Sequence, residues 1–376
     1  MSQADRMIIV GYGIEPWPPY NEAVKNFVNG YAYRLAERGD RVLIVTKSRH
    51  IRFPFSFTRN RGVTYLLLRT SRLGRRFHQG LLVLLSRLWS ADRIHFWGRP
   101  SGYSRQLAHS RMTFLTIYDY GLAQDANLAQ QISSETVLVV ETDWLQDLVR
   151  LSWQREAHVI YPGIDLSQFT ARFSRSLSSP YRAVFASSPL PRHRGAAEDS
   201  YLENRGVPET MAISHLIGQR MDFETTLLWR KEPTRILELM KQYQSVRVLN
   251  TYVSDMNEFL EMFDLCFALF RDTIHVKAVP QSVIECLAKG IPVVCRQDSA
   301  LGDLLSRHRV SLSVPADEPA EAAYAIIELL RDPPRYHSMS VATRQMARQY
   351  FDIRSTVDQY AALYQSSGVR IKRIVG

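Results

Sequence analysis

The sequence predicts an α/β protein of two doubly wound, parallel-sheet domains facing a central cleft. Three observations carry that prediction. Short apolar runs alternate with helical stretches along most of the chain. The alternation restarts after a polar, Ser/Arg-rich segment at 166–180. The first apolar run, MIIVGYG, ends in glycines and leads through a helical stretch to a second run, which makes a βαβ unit. A chain of 376 residues suits two domains. They are placed at 1–165 and 181–350, with a linker at 166–180. Residues 351–376 are expected to form a C-terminal helix and basic tail, the helix packing back on the first domain.

Each element has its own warrant. After MIIVGYG comes a Pro-rich loop, IEPWPPYNEA. Val24, Phe27, Val28, Tyr31, Ala32 and Leu35 then recur at helical spacing, so one face of that helix is buried. Gly39 stops it and RVLIVTK is the next strand. VTYLLLR, RIHFWG, MTFLTIYD, TVLVVET and HVIYPG complete the strands of the first half. In the second half the expected strands are AVFASSP, MAISHLIG, VRVLN, DLCFALF, IPVVCR and VSLSVP. Helices are expected at 234–243, 282–289 and 320–330, and a last one at 353–364, followed by the basic tail GVRIKRIVG.

Composition narrows the class. A hydrophobic content of 45% and a charged content of 22% exclude disorder as the main state. Cys266, Cys286 and Cys295 lack metal or disulfide spacing and read as reduced core thiols. The N-terminus has no signal-peptide pattern, and no apolar run approaches the ~20 residues that span a bilayer. A cytoplasmic protein is expected, with peripheral association at the inner face of a membrane left open. Gly11 and Gly13 supply two glycines of a dinucleotide fingerprint, but Pro16 takes the third place, and no Walker A run exists. Pyridine-nucleotide and P-loop chemistry are therefore disfavoured.

The net charge of +10 is concentrated. Residues 41–111 hold fifteen Lys/Arg against one acid, Asp92, and the rest of the chain is net acidic. Within this region, residues 71–90 place Leu73, Phe77, Leu81, Leu84 and Leu88 on one helical stripe, with Arg72, Arg75, Arg76 and Arg87 off it. Such a stripe suits an anionic membrane surface, here met through residues 41–112, or packing on a sheet. Both readings stay open. Phe53, Phe55 and Phe57 interleave aromatics with the basic residues, but no nucleic-acid recognition motif accompanies them.

The richest stretch is 275–299, HVKAVPQSVIECLAKGIPVVCRQDS. A helix starting after Pro280 would offer the amides of Gln281, Ser282 and Val283 to a diphosphate, and Glu285 could accept hydrogen bonds from ribose hydroxyls. Ser282-x-x-Glu285 is also a capping box, and residue chemistry alone favours that reading.

These residues resemble the donor-site signature of the GT-B glycosyltransferases, in particular the retaining family 4. Glu285, Ala288, Gly290, Pro292, Val293 and Val294 match its second half. VIYPGIDLSQF at 159–169 is similar to the family's element at the end of the first domain, and MTFLTIYDYG resembles its strand ending in His-Asp. Residues 18–47 resemble its opening loop, first helix and second strand. The resemblance implies two Rossmann-like domains and transfer of a sugar, with retention, from a nucleotide diphosphate sugar. It implies no obligatory metal and no cofactor beyond that donor substrate. It assigns Glu285 to the ribose, and Arg194, with Arg192 or His193, to the leaving diphosphate. Asp119 becomes the candidate for positioning the acceptor hydroxyl; a turn-forming Asp before Gly121 is the equal alternative. The acceptor expected is a glycan, a glycolipid or a small molecule, lipid-linked or anionic.

Three positions depart from the pattern. Lys277 stands where the family places a glutamate at the donor sugar, Tyr118 stands for the His before Asp119, and Ala23 replaces a loop glycine. Lys277 as a catalytic-site residue would match an anionic sugar. An inactive GT-B partner or scaffold protein and a sugar-nucleotide epimerase remain as alternatives.

Overall fold

The computed structural model describes residues 5–17, 23–48, 50–69, 74–99, 111–170, 177–187, 196–229, 234–243, 245–273 and 276–374. The chain divides into two compact units, Met1–Gly163 with Ile353–Gly376, and Ile164–Asp352.

The first unit is built on eight strands: β1 (Arg6–Tyr12), β2 (Arg41–Ser48), β3 (Phe55–Asn60), β4 (Val63–Arg69), β5 (Arg93–Trp97), β6 (Met112–Ile117), β7 (Val137–Val140) and β8 (His158–Val159). Their order is β3-β4-β2-β1-β5-β6-β7-β8, parallel throughout except for the antiparallel β3–β4 pair. The continuous apolar runs of β1 and β2 follow from burial on both faces of a parallel sheet. The helix Ala23–Glu37 covers the sheet with Phe27, Val28, Tyr31, Ala32 and Leu35, the face its spacing predicts.

β3 has no counterpart among the expected strands. Its connection to β4 is the two-residue turn Arg61–Gly62, with φ of 45° and 82°, a conformation suited to the twist of a tight hairpin. Its inward residues are Ser56, Thr58 and Asn60, so no apolar core face marks it in the sequence.

The last helix, Ile353–Ile374, runs well past the expected 353–364 and takes in most of the basic tail. It buries Ile353, Val357, Tyr360, Leu363 and Tyr364 in the core of the first unit. Beneath it lies a polar chain with no access to water. His95 Nδ1 meets the Tyr364 hydroxyl at 2.7 Å and His95 Nε2 meets Thr116 Oγ1 at 2.8 Å. Tyr364 also bonds the Tyr31 hydroxyl, and Thr116 bonds Tyr360 at 3.1 Å. Hydroxyls donate or accept as required, so both ring nitrogens of a neutral imidazole are satisfied.

The second unit holds β9 (Tyr181–Ser187), β10 (Phe223–Trp229), β11 (Val246–Leu249), β12 (Leu265–Ala268), β13 (Val293–Arg296) and β14 (Ser311–Val314), all parallel in the order β11-β10-β9-β12-β13-β14. MAISHLIG is not a strand. It belongs to the helix Val207–Gly218, whose buried residues Val207, Thr210, Met211, Ser214 and Ile217 keep helical spacing. The hydroxyls of Thr210 and Ser214 donate to the carbonyls of Gly206 and Thr210, which lets polar residues face the core. The neighbouring strand is β10, FETTLLW.

The expected linker at 166–180 also needs correction. Leu166 and Phe169 are buried, Thr170 bonds Asn257, and Arg344 donates to the Phe169 carbonyl at 2.8 Å. The second unit begins at Ile164, and residues 164–170 bury apolar side chains and bond within it, whereas 171–176 lie outside the described residues.

Burial lowers the pKa of His95 from 6.5 to about 3. An unfolded chain takes up this proton as pH falls below ~6.5, whereas the folded one resists it down to about 3. Stability is therefore full above that range and falls with acidification, by at most about 5 kcal/mol from this group. Urea unfolding of wild type between pH 7.5 and 5 is expected to show this slope. His95→Gln, which does not titrate, is expected to flatten it by up to about 1.4 kcal/mol per pH unit.

Candidate functional site

In open parallel sheets, ligands meet the carboxyl ends of the strands where the strand order reverses. In the second unit that point lies at β9 and β12, since β9 pairs with β10 on one side and β12 on the other. The loop after β12 leads through Lys277 to the helix Gln281–Lys289.

That helix begins at Pro280, whose φ of −65° suits the position and which supplies no side-chain cap. The capping box is therefore not formed. Ser282 lies inside the first turn, and its hydroxyl donates to the Ala186 carbonyl at the end of β9, at 2.7 Å. Glu285, 8% exposed, accepts from Gln281 Nε2 at 2.7 Å. The Val283 amide donates to the Pro280 carbonyl at 3.0 Å and its side chain is core. The helix thus holds a carboxylate against its own first turn, and Ser282 fixes that turn to the strand at the switch point.

The other end of the helix is anchored as firmly. Lys289 is fully buried, with Nζ donating to Thr170 Oγ1 at 3.0 Å and Asn257 Oδ1 at 2.8 Å and pairing with Glu261. Gly290 follows with φ +84°, the left-handed conformation that ends the helix. Sequence reasoning missed this role of Lys289; a lysine in the run ECLAKGIPVV, between apolar residues, was the available signal.

An ionic network steadies the start of the β12 loop. Arg271 donates to Glu209 at 2.7 Å and Asp317 at 3.2 Å. Arg296, at the end of β13, bonds Asp317 at 2.7 Å and Asp298 at 2.9 Å. Burial lowers the Arg296 pKa, but its bonds to Asp298 and Asp317 outweigh that and raise it. The hydrogen bonds from Arg296 hold both carboxyls below the usual range.

Gln281, Ser282, Val283 and Glu285 therefore stand together, with half-buried Lys277 on the approach to them. Arg192, His193 and Arg194 lie outside the described residues. Asp119 belongs to the first unit. It follows β6, and its side chain accepts the Leu122 amide at 2.8 Å as the N-cap of the helix Tyr120–Ala123, so the structure shows its turn-forming role. Tyr118 lies over Gly98, where φ is +79° and a Cβ would come within 2.9 Å of the Tyr118 hydroxyl. Ala23 opens the first helix. Among the described residues, no three His, Cys, Asp or Glu side chains gather as a metal-holding group.

No family model and no curated protein matches the sequence. Solved structures do match. Sucrose-phosphate synthase from Thermosynechococcus elongatus aligns over 97% of this chain and 100% of its own, with TM-score 0.79 and 14% identity. The fold is GT-B. A glycosyltransferase from Rickettsia africae covers 97% of this chain and 98% of its own, with TM-score 0.72 and 11% identity. A trehalose-6-phosphate structure from E. coli, bound with UDP-2-fluoro glucose, covers 96% and 99%, with TM-score 0.68 and 11% identity. At such identities the likeness is one of GT-B architecture, and chemistry must be argued from the site.

If the helix Gln281–Lys289 is held at both ends, its C-terminal anchor should be costly to remove. Lys289→Ala is expected to destabilise the chain by about 3 kcal/mol, through a cavity and lost hydrogen bonds. Glu261→Gln leaves the fully buried ammonium with the neutral acceptors Thr170 and Asn257 and is expected to cost about 2–3 kcal/mol as well. Urea midpoints of the two variants check both values.

Proposed function

We propose that the chain is a glycosyltransferase that moves a sugar from a nucleotide diphosphate sugar to an acceptor hydroxyl, with retention at the anomeric carbon. The observation that carries this reading is the helix Gln281–Lys289. It has no side-chain cap at its N-terminus, is fastened to the end of β9 by Ser282, and presents Glu285 in its first turns.

A helix N-terminus favours a diphosphate through its amides and its positive dipole end. Glu285 accepts hydrogen bonds from the ribose hydroxyls, and Gln281 sets the orientation of its carboxylate. In the sequence, Arg192 and Arg194 follow β9 closely, and the proposal assigns them to the charge that develops on the leaving diphosphate. Lys277 is assigned to the donor sugar, where a cation selects an anionic group. The first unit takes the acceptor, and its basic segment suits a lipid-linked or otherwise anionic one. Asp119 is given no catalytic part, since its side chain caps a helix. The retaining assignment rests on the family 4 resemblance. The nucleotide-sugar assignment draws support from the E. coli GT-B structure bound with UDP-2-fluoro glucose.

Isothermal titration with UDP, GDP and ADP tests the donor site. One of them is expected to bind, and Glu285→Ala to weaken it by about tenfold or more through loss of charge-assisted hydrogen bonds. Binding by none of the three, or unchanged binding by Glu285→Ala, overturns the assignment.

A further inference from the structure

The edge hairpin of the first unit carries an unusual surface. Phe53, Phe55 and Phe57 are 74%, 50% and 58% exposed. Along β3, Phe55, Phe57 and Arg59 face outward and alternate with half-buried Ser56, Thr58 and Asn60; Phe53 precedes the strand. This inverts the ordinary pattern of a one-sided sheet, in which apolar residues face the core and polar ones face water. The hairpin does not need the phenylalanines to hold its place. Asn60 Nδ2 donates to the Pro16 carbonyl at 3.0 Å and the Tyr33 hydroxyl at 3.1 Å, and β4 supplies buried Val63, Tyr65 and Leu67. Three large apolar side chains thus remain half or more exposed on one hairpin.

Their surroundings are cationic. Arg52, Arg59 and Arg61 are exposed within the same hairpin, in the segment where one acid faces fifteen Lys/Arg. A second observation comes from the helix Gly74–Leu88, which follows β4. Its Leu82 and Ser86 are buried, whereas Leu84 and Leu88 of the apolar stripe are 51% and 73% exposed. That part of the stripe does not pack on the sheet.

We propose that this hairpin docks the protein on an anionic lipid bilayer. The Phe53, Phe55 and Phe57 rings enter the boundary between headgroups and acyl chains, and the neighbouring arginines meet the lipid phosphates. Phe55 and Phe57 stand edge to face, with centroids 6.2 Å apart and planes at 77°, so they offer no parallel faces for successive bases of a single strand. Exposed Leu84 and Leu88 suit acyl chains and have no counterpart in nucleic-acid binding. Pairing of the β3 edge with a second copy would set like-charged arginines against one another. The assignment is independent of the transferase reading, since lipid binding is measured without donor or turnover.

Co-sedimentation of the full chain with phosphatidylcholine vesicles, with and without about 30% phosphatidylglycerol, tests it. Binding is expected to the anionic vesicles, and F53S/F55S/F57S should lower the partition coefficient by about tenfold or more, with an unchanged circular dichroism spectrum. F53L/F55L/F57L should retain binding. In a parallel measurement, the emission of F57W less that of wild type, which shares its six native tryptophans, should shift to the blue only on anionic vesicles. The proposal fails if wild type stays in the supernatant, if the Ser variant binds equally, or if F57W shows no shift. It also fails if the Ser variant instead loses a dimer seen by light scattering, or loses salt-sensitive RNA binding.

Discussion

The fold depends on a chain that leaves the first unit once and returns to it once. At the departure, Gly163 has room for no side chain: a Cβ there would come within 2.5 Å of the Ile353 backbone, where the chain re-enters. Within the second unit the two flanking segments bond, Ile164 donating to the Phe351 carbonyl at 2.9 Å. Departure and return are thus stitched side by side, and the return delivers the last helix to the first sheet. Without that delivery His95 and Thr116 would be left in the core without Tyr364 and Tyr360, and an unpaired buried polar group costs roughly 1–3 kcal/mol. The polar chain therefore makes the C-terminal segment obligatory to the N-terminal sheet.

The second unit uses the same logic at its site. If the helix Gln281–Lys289 binds a diphosphate as proposed, it must not drift as charge moves, so preorganisation matters more than the number of contacts. Here Ser282 ties the first turn to β9 and Lys289 ties the last turn to Thr170 and Asn257. The ionic network around Arg296 and Arg271 holds the loop that leads in. These are interactions between elements distant in sequence, which explains why a local reading of Ser282 and Glu285 as a capping box goes astray. The spacing is right, but Pro280 takes the cap position and the serine hydroxyl finds a better acceptor in β9.

Much of the GT-B architecture was legible because parallel strands buried on both faces write themselves as continuous apolar runs, as in β1, β2 and β13. Two elements were misread for opposite reasons. Val207–Gly218 carries the hydroxyl residues Thr210 and Ser214 on its buried face, so polar residue types interrupt its apolar helical period. β3 does alternate, but with its apolar residues outward, so a search for a core face passes over it. At the site, the helix and Glu285 were visible from the sequence. The mutual fastening of helix, strand and linker was not, since hydrogen bonds such as Ser282 to Ala186 span 96 positions.

The two units also handle charge differently, and this bears on what each can meet. In the second unit several arginines are matched nearby: Arg235 with Asp199 and Glu238, Arg271 with Glu209, and Arg296 with Asp298 and Asp317. Matched pairs create little field at a distance. In the first unit the segment 41–111 contains one acid, and partners for its arginines must come from elsewhere in the chain, as Asp5 does for Arg93 and Asp125 for Arg99. One acid cannot neutralise fifteen cations, so this face projects a positive potential that attracts extended anionic surfaces. The positive field belongs to the first unit, where the proposed anionic bilayer would meet it.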